Sequence, residues 1–265
     1  MPKKSTLISL PGATRLTLLA LSIGAGWLAW ELAARFSGLP PFILPGPGKV
    51  WGRFLQALGD GSLLAHTAVT LGEVLAGLCL GVSAATLLGY LLAKSHRIER
   101  VLSPYLVASQ AIPVVAIAPL LVIWFGPGLI SKVFICALIV FFPVLINTVV
   151  GVRSVPDDLR DLMRSLQATR WQTLRQLELP AALPILLGGL RIGATLSVIG
   201  AVVGELAGSD RGLGFLISVG KGLFDTALVF VAIFALVAMA LSLYGGVVLM
   251  ERRLLSWQER PESGK

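Results

Sequence analysis

The chain has 265 residues, of which 55% are hydrophobic and 14% charged, and its mean hydropathy is +0.85. Soluble domains carry about 25% charged residues, so this composition excludes a soluble globule and reads as an integral membrane protein. The 22 Lys and Arg against 14 Asp and Glu leave a net +8. These charges sit in short intervals between apolar runs, with no basic face interleaved with aromatics, which fits membrane topology and speaks against nucleic-acid binding.

Lys3, Lys4 and Arg15 precede an apolar run from Leu16 to about Trp30. A cleaved signal peptide begins the same way, but Trp27, Trp30 and Glu31 stand where small residues would be needed for cleavage. An uncleaved first span fits better, with the tryptophans at the far interface. Pro40-Pro41-Phe42-Ile43-Leu44-Pro45-Gly46-Pro47-Gly48-Lys49-Val50 cannot be a regular helix and is expected to be extended or turning. A second span runs from about Leu63 to Ala93, with His66 and Glu73 in its outer part. Its Gly77-Leu78-Cys79-Leu80-Gly81 has the small-xxx-small spacing that lets helices approach closely. After a basic turn (Lys94, His96, Arg97, Glu99, Arg100), the third run, Val101 to Phe125, contains Pro104, Pro113 and Pro119 and is expected to be kinked or partly unwound. Gly126-Pro127-Gly128 is an outer turn. The fourth span, Ile130 to Val150, has Lys132 near its outer end and Asn147-Thr148 near its inner end. Cys79 and Cys136 both lie in apolar runs and are expected as buried small residues, with no C-x-x-C pair.

The only long polar interval follows. Ser154-Val155-Pro156-Asp157-Asp158 reads as a helix start: a cap hydroxyl, a first-turn proline and carboxylates at the positive end of the dipole. Leu159, Leu162, Met163 and Leu166 then recur at i, i+3, i+4, i+7 and make one apolar face. Arg160, Arg164, Arg170 and Arg175 lie largely off it, with Asp161 placed to pair with Arg164. Pro180 and Pro184 are expected to break the run and restart the chain as a membrane helix. Pattern alone leaves two readings open, a helix that enters a partner's groove or one that lies on anionic lipid. The fifth span runs from about Leu183 to Leu206, with Arg191 expected to reach back to the headgroups. Gly208 to Phe224 is a glycine-rich outer loop with a short helix, and the sixth span covers about Thr226 to Met250. With six spans, fifteen of the 22 Lys and Arg fall on the side of both termini, the 94–100 turn and the 151–182 interval, and six on the other. That bias places both termini and the polar interval in the cytoplasm. The organisation is then an N-terminus at 1–15, a single membrane domain at 16–253 with its loop at 154–182, and a tail at 254–265.

There is no Walker A sequence, H-E-x-x-H, G-x-S-x-G or zinc-spaced Cys/His set. His66 reads as a satisfied helix-end residue and His96 as a solvated loop residue. Ionisable groups at membrane depth are functional suspects, which singles out Glu73 and Glu205. The competing readings are an interfacial position for either carboxylate or, for Glu73, a basic partner on a neighbouring helix. Gln110, Trp124, Asn147 and Ser197 are polar or amphipathic groups placed to line a pathway.

The string Arg170-Trp171-Gln172-Thr173-Leu174-Arg175-Gln176-Leu177-Glu178-Leu179-Pro180-Ala181-Ala182-Leu183-Pro184 resembles the coupling-loop motif of binding-protein-dependent ABC transporter permeases. Gln110-Ala111-Ile112-Pro113, Ala118-Pro119-Leu120-Leu121-Val122-Ile123-Trp124-Phe125-Gly126 and Gly212-Leu213-Gly214-Phe215 resemble the nitrate/sulfonate/taurine branch. That branch includes importers of pyrimidine thiamine precursors and of riboflavin. The likeness runs from about Pro40 to Trp257. It departs where the family's Glu-Ala-Ala falls on Asp161, Leu162 and Met163, where its glycine falls on Gln167, and where many members carry arginine in place of Glu73.

The resemblance implies an all-α polytopic membrane protein of six spans with a cytoplasmic coupling helix, in a bacterial inner membrane. It implies a non-catalytic subunit with no cofactor of its own, ATP and Mg being held by a partner. The expected partners are a second permease copy, two ATPase subunits and an extracytoplasmic binding protein. Asp161, Leu162, Met163, Arg164, Leu166, Gln167, Arg170, Trp171, Leu174, Pro180 and Pro184 would contact the ATPase. Leu162, Met163 and Leu166 would be its anchor, Arg164 and Arg170 its rim, and Trp171 an aromatic hot spot. The competing reading for Trp171 and Leu174 is packing against the chain's own inner helix ends. Asp161-Leu162-Met163-Arg164-Ser165-Leu166 and the tail Leu243-Tyr244 to Leu255 look more like the pyrimidine-precursor or riboflavin members, with a sulfonate, taurine or nitrate importer as the alternative. A stand-alone secondary transporter would need an internal repeat and midplane charges, and a membrane enzyme a polar cluster at one depth; neither pattern is evident.

Overall fold

The computed structural model describes residues 12–256, and every regular element within them is a helix. In chain order these are α1 (Gly12–Phe36), α2 (Pro47–Gly59), α3 (Ser62–Lys94), α4 (His96–Gln110), α5 (Val114–Phe125), α6 (Leu129–Arg153), α7 (Asp157–Ser165), α8 (Arg170–Thr173), α9 (Leu179–Ala207), α10 (Leu213–Gly222) and α11 (Thr226–Leu254). A π-helical turn, Leu174–Glu178, joins α8 to α9. Among the described residues α3, α6, α11 and the continuous run Arg170–Ala207 are long and apolar enough to cross a membrane. Together, α4 and α5, bent by 93° at a short break, make a fifth if the pair is one span. The first expected span falls on α1, which is 25 residues long but is not among these helices. Most of the expected N-terminal segment and tail lie outside the described residues.

Helix α6 is the axis of the molecule, with Ile135, Cys136 and Val140 fully buried. Glycines let the helices on either side come against its backbone. A methyl group on Gly81 of α3 would sit 2.7 Å from the Ala137 carbonyl oxygen, and one on Gly200 of α9 would sit 2.7 Å from the Cys136 Cα. The small-xxx-small pair of the sequence is therefore a contact surface between α3 and α6. In a bilayer, where apolar burial gives no net drive between helices, such close packing supplies the association. Cys136 is buried as expected, but Cys79 is exposed. Two residues past Gly77, it is turned about 200° away from the α6 contact.

Of the three prolines in the third run only Pro113 breaks it. Pro113 caps α5 with φ −63° and ψ 123°, and a residue preceding proline is pushed out of the helical region. Pro104 and Pro119 sit inside their helices. The expected non-helical stretch at 40–50 ends earlier than its composition suggests. Pro47 opens α2, since a first-turn position needs no N–H. Trp30 stacks on Phe230 at 5.3 Å and donates to the Pro45 carbonyl at 3.1 Å, which fastens α1 to α11 and to the lead into α2.

Candidate functional site

At one end of the bundle α6 stops at Arg153, whose guanidinium forks onto Glu99 of α4 at 2.8 and 2.6 Å. Ser154 does not cap the next helix as expected. Its hydroxyl turns back to the Gly151 carbonyl at 2.8 Å and closes α6, a local bond open to any serine at a helix end. The residue before α7 is Pro156, with no side-chain cap. Asp157 and Asp158 then fill the first turn, where the helix dipole favours carboxylates. Arg160 donates to Asp157 at 2.9 Å and to the Val152 carbonyl at 2.7 Å, fixing α7 to the end of α6. Arg164 pairs with Asp161 at 2.7 Å, as the spacing predicts.

Fixed this way, α7 turns Leu159, Leu162 and Leu166 outward, 42%, 53% and 68% exposed, with Met163 half-buried. An apolar face that the chain itself leaves uncovered marks a surface for another molecule. The helix closes with a Schellman turn: the Gln167 amide donates to the Arg164 carbonyl and the Ala168 amide to the Met163 carbonyl, both at 2.9 Å. Gln167 has φ +53°. The position that matches the family's glycine thus keeps a glycine-favouring backbone, at a cost of about 1–2 kcal/mol for a residue with a Cβ.

Thr169 and Gln172 form a capping box over α8, and from Arg170 the chain is helical without interruption to Ala207. Pro180 and Pro184 therefore neither break the run nor restart it. The Leu179 amide bonds back five residues to Leu174. This wide turn just before Pro180 puts the missing proline N–H at a junction, where less is lost than in a regular helix interior. Trp171 is 66% exposed and Leu174 half-buried. Arg191 pairs with Glu251 of α11 and lies 5.4 Å from the Tyr244 ring, where the sequence led us to expect contact with headgroups.

Sequence reasoning does not reach Glu178. Only 1% exposed, it accepts from Lys94 and from the Tyr90 hydroxyl of α3 at 3.3 Å. The available signal is a carboxylate in the first turns of an apolar helix, which demands a cation from elsewhere in the chain.

At the other end of the bundle Glu73, Lys132 and Glu205 are buried, at 1%, 3% and 2% exposure. Lys132 donates to the Pro127 carbonyl at 2.9 Å and to Ser209 at 2.7 Å, and lies 3.6 Å from Glu73. Glu205 accepts from the Thr70 hydroxyl at 2.6 Å and from the Gly214 amide. The Leu213 amide donates to Thr70 at 2.8 Å and the Gly212 amide to His66 Nδ1 at 2.9 Å. The carboxylate and its neighbours thus satisfy the free amides that begin α10. Gly212 has φ +104°, and a Cβ on Gly214 would lie 2.8 Å from a Glu205 carboxylate oxygen. Those two contacts explain the Gly-Leu-Gly turn.

Of the other residues expected along a pathway, Ser197 is buried and donates to the Ala194 carbonyl at 2.8 Å, while Asn147 is half-buried and donates to Pro143 at 2.8 Å. Gln110 and Trp124 are exposed on α4 and α5. The structure brings Glu73 and Glu205 together and leaves Gln110 and Trp124 on uncovered faces.

The family model described as binding-protein-dependent transport system inner membrane component matches residues 77–256. The riboflavin transport system permease protein RibX of Chloroflexus aurantiacus is 51% identical over 229 residues, spanning 86% of this chain and 85% of its own. The formylaminopyrimidine transport permease protein ThiX of Halalkalibacterium halodurans is 37% identical over 231 residues, 87% of this chain and 92% of its own. The taurine transport system permease protein TauC of Escherichia coli is 33% identical over 254 residues, 93% and 92% of the two chains. Among solved structures, a chain of the inward-facing MetNI methionine ABC transporter aligns with a TM-score of 0.58 over 73% of this chain and 96% of that chain, at 18% identity. That last likeness is one of fold alone.

Proposed function

Because the chain belongs to the family of binding-protein-dependent transport system inner membrane components, we propose that two copies of it form the pathway of an ABC importer for riboflavin or a pyrimidine thiamine precursor. The chain is a multi-pass inner-membrane permease subunit with no catalytic role. A partner subunit binds and hydrolyses ATP, and a substrate-binding protein is the other partner. The solute assignment draws on the relatives that carry riboflavin and formylaminopyrimidine, 51% and 37% identical, against 33% for the taurine permease. A sulfonate or taurine importer is the second reading. Six spans, with α1 as the first and both termini cytoplasmic, agree with the distribution of Lys and Arg.

The observation that carries the coupling role is α7, a short helix that presents Leu159 and Leu162, and Leu166 at its C-terminal cap, to the outside. Its face would enter a groove of the ATPase subunit, with Leu162 and Leu166 as anchors, Trp171 beside them and Arg164 and Arg170 at the rim. When ATP draws the ATPase pair together, α7 moves with its subunit. The Arg160 bond to Val152 passes that displacement to α6, and the glycine contacts pass it to α3 and α9. The importer then shifts between two packings a few kcal/mol apart, biased by ATP and by the loaded binding protein. Glu205, Thr70 and Lys132 hold α10 and the loop before it on the opposite face, where the binding protein would dock.

Co-purification from membranes expressing the chain with its ATPase tests this reading. The wild type should recover the ATPase, and the double variant Leu166→Asp/Trp171→Ala should not. Equal recovery with both would remove α7 from the interface. ATP-dependent uptake of labelled riboflavin, formylaminopyrimidine or taurine into vesicles holding the complex separates the solutes.

A further inference from the structure

Given the coupling role of α7 and α8 on which it rests, we propose that Glu178 is a positioning residue of the transport cycle. Paired with Lys94, it locks the inner end of α3 to the foot of α9, so that a displacement arriving through α8 moves both helices together. The carboxylate ends the π-helical turn that joins α8 to α9 and is 1% exposed. Lys94, the last residue of α3, donates to one of its oxygens, and Tyr90, one turn earlier, donates to the other at 3.3 Å. The ammonium also lies 5.7 Å from the centre of the Tyr90 ring, within cation–π reach. The three groups thus fix one another at a single point between two long helices.

Around that point apolar packing gives little hold. A cleft of about 410 Å³ opens between α3, α6 and the π-helical turn, bordered by Leu87, Val152, Leu174, Leu179 and Leu186. Apolar residues at 94 and 178 would help to fill it, and an apolar pair in place of a buried ion pair is often as stable or more so. Stability therefore does not account for these charges, whereas position does. The start of the polar loop is tied to α6 by the Arg160 bond to the Val152 carbonyl at 2.7 Å, and Arg153 at the end of α6 reaches the Leu92 carbonyl of α3 at 3.3 Å. Glu178 supplies the matching tie at the far end of the loop. The wide turn is the place where this run has slack, and a tie on its α9 side keeps that slack away from the spans. Without it, α9 would follow α8 while α3 stayed with α6.

The full complex of permease, ATPase and binding protein in vesicles provides the test, with solute imported per ATP hydrolysed as the readout. Labelled riboflavin, formylaminopyrimidine and taurine are the probes, and the one that the wild type imports is used throughout. Lys94→Met/Glu178→Met removes both charges at similar volume. It should recover the ATPase as the wild type does and melt no lower, yet import roughly tenfold less solute per ATP, within the range by which residues along a coupling route alter it. Lys94→Arg, which keeps the pair, should match the wild type. A wild-type ratio in the Met double variant overturns the proposal. So does a ratio that falls only in step with the melting temperature or with ATPase recovery, which would make the pair a structural contact. If the wild type itself recovers no ATPase, the coupling role fails and the positioning role fails with it, whereas recovery with an undiminished ratio sinks the positioning role alone.

Discussion

Gly81 sits where α3 comes closest to α6, so Gly81→Ala tests the packing directly. Its Cβ would lie 2.7 Å from the Ala137 carbonyl oxygen, 3.1 Å from the Ala137 Cα and 3.2 Å from the Val140 Cβ. The first two atoms are backbone and cannot rotate away. Restoring an ordinary contact requires the helices to part by roughly 0.7 Å, an overpacking cost of about 1–3 kcal/mol. Alanine returns up to about 1 kcal/mol of helix propensity, and Gly72→Ala provides the control. Gly72 lies on the same helix with nothing within 4 Å of an added Cβ, so it collects the propensity gain without the clash. The two variants should therefore differ by about 1–3 kcal/mol, which at roughly 2–4 °C per kcal/mol for a chain of this size is a readable gap in melting temperature. The assay is thermal unfolding of both variants in one detergent, followed by complex assembly. Coincident melting curves would refute the claim that α3 and α6 touch backbone to backbone.

Two further substitutions probe the ends of the bundle. Gln167→Gly should relieve about 1 kcal/mol of backbone strain and slow hydrogen exchange of the Ala168 amide, while Gln167→Val should speed it; the same rate in all three proteins would show that the turn carries no strain. Glu205→Ala leaves the Gly214 amide without its acceptor, at about 1–3 kcal/mol for a buried group, while the Thr70 hydroxyl keeps the His66 carbonyl at 3.2 Å. Amides of α10 should then exchange faster while those of α7 do not change, and an unaltered α10 would show that Glu205 is not its anchor.

The parts of this molecule legible in the sequence are those decided by neighbours along the chain. Apolar runs foretell α3, α6 and α11 because burial in lipid and helix periodicity act within a few turns. The i, i+3 pairing of Asp161 with Arg164 is legible for the same reason. Gly77 and Gly81 announce a close approach, but not that α6 is what approaches. Where the deciding partner is distant, the sequence is silent or misleading. Glu178 takes its meaning from Lys94, 84 residues away, and Thr70 from Glu205, 135 residues away. Ser154 reads equally well as the end of one helix or the start of the next, and the hydroxyl's short reach to Gly151 decides it. Pro180 looks like a breaker until the wide turn ahead of it absorbs the missing donor.

That wide turn also bears on how this chain tolerates changes in length. Each residue added to or lost from a regular helix rotates everything beyond it by about 100°. A deletion within α9 would swing Arg170 and Trp171 away from the side on which Gly193 and Gly200 meet α6. The turn at Leu174–Glu178 already winds in one residue more than an α-helix would. A one-residue deletion there can be taken up by tightening the coil, with both flanks keeping their facing. The alignment between the α8 end of this run and the face of α9 that meets α6 thus rests on local winding, and at this point the count of residues is free to drift.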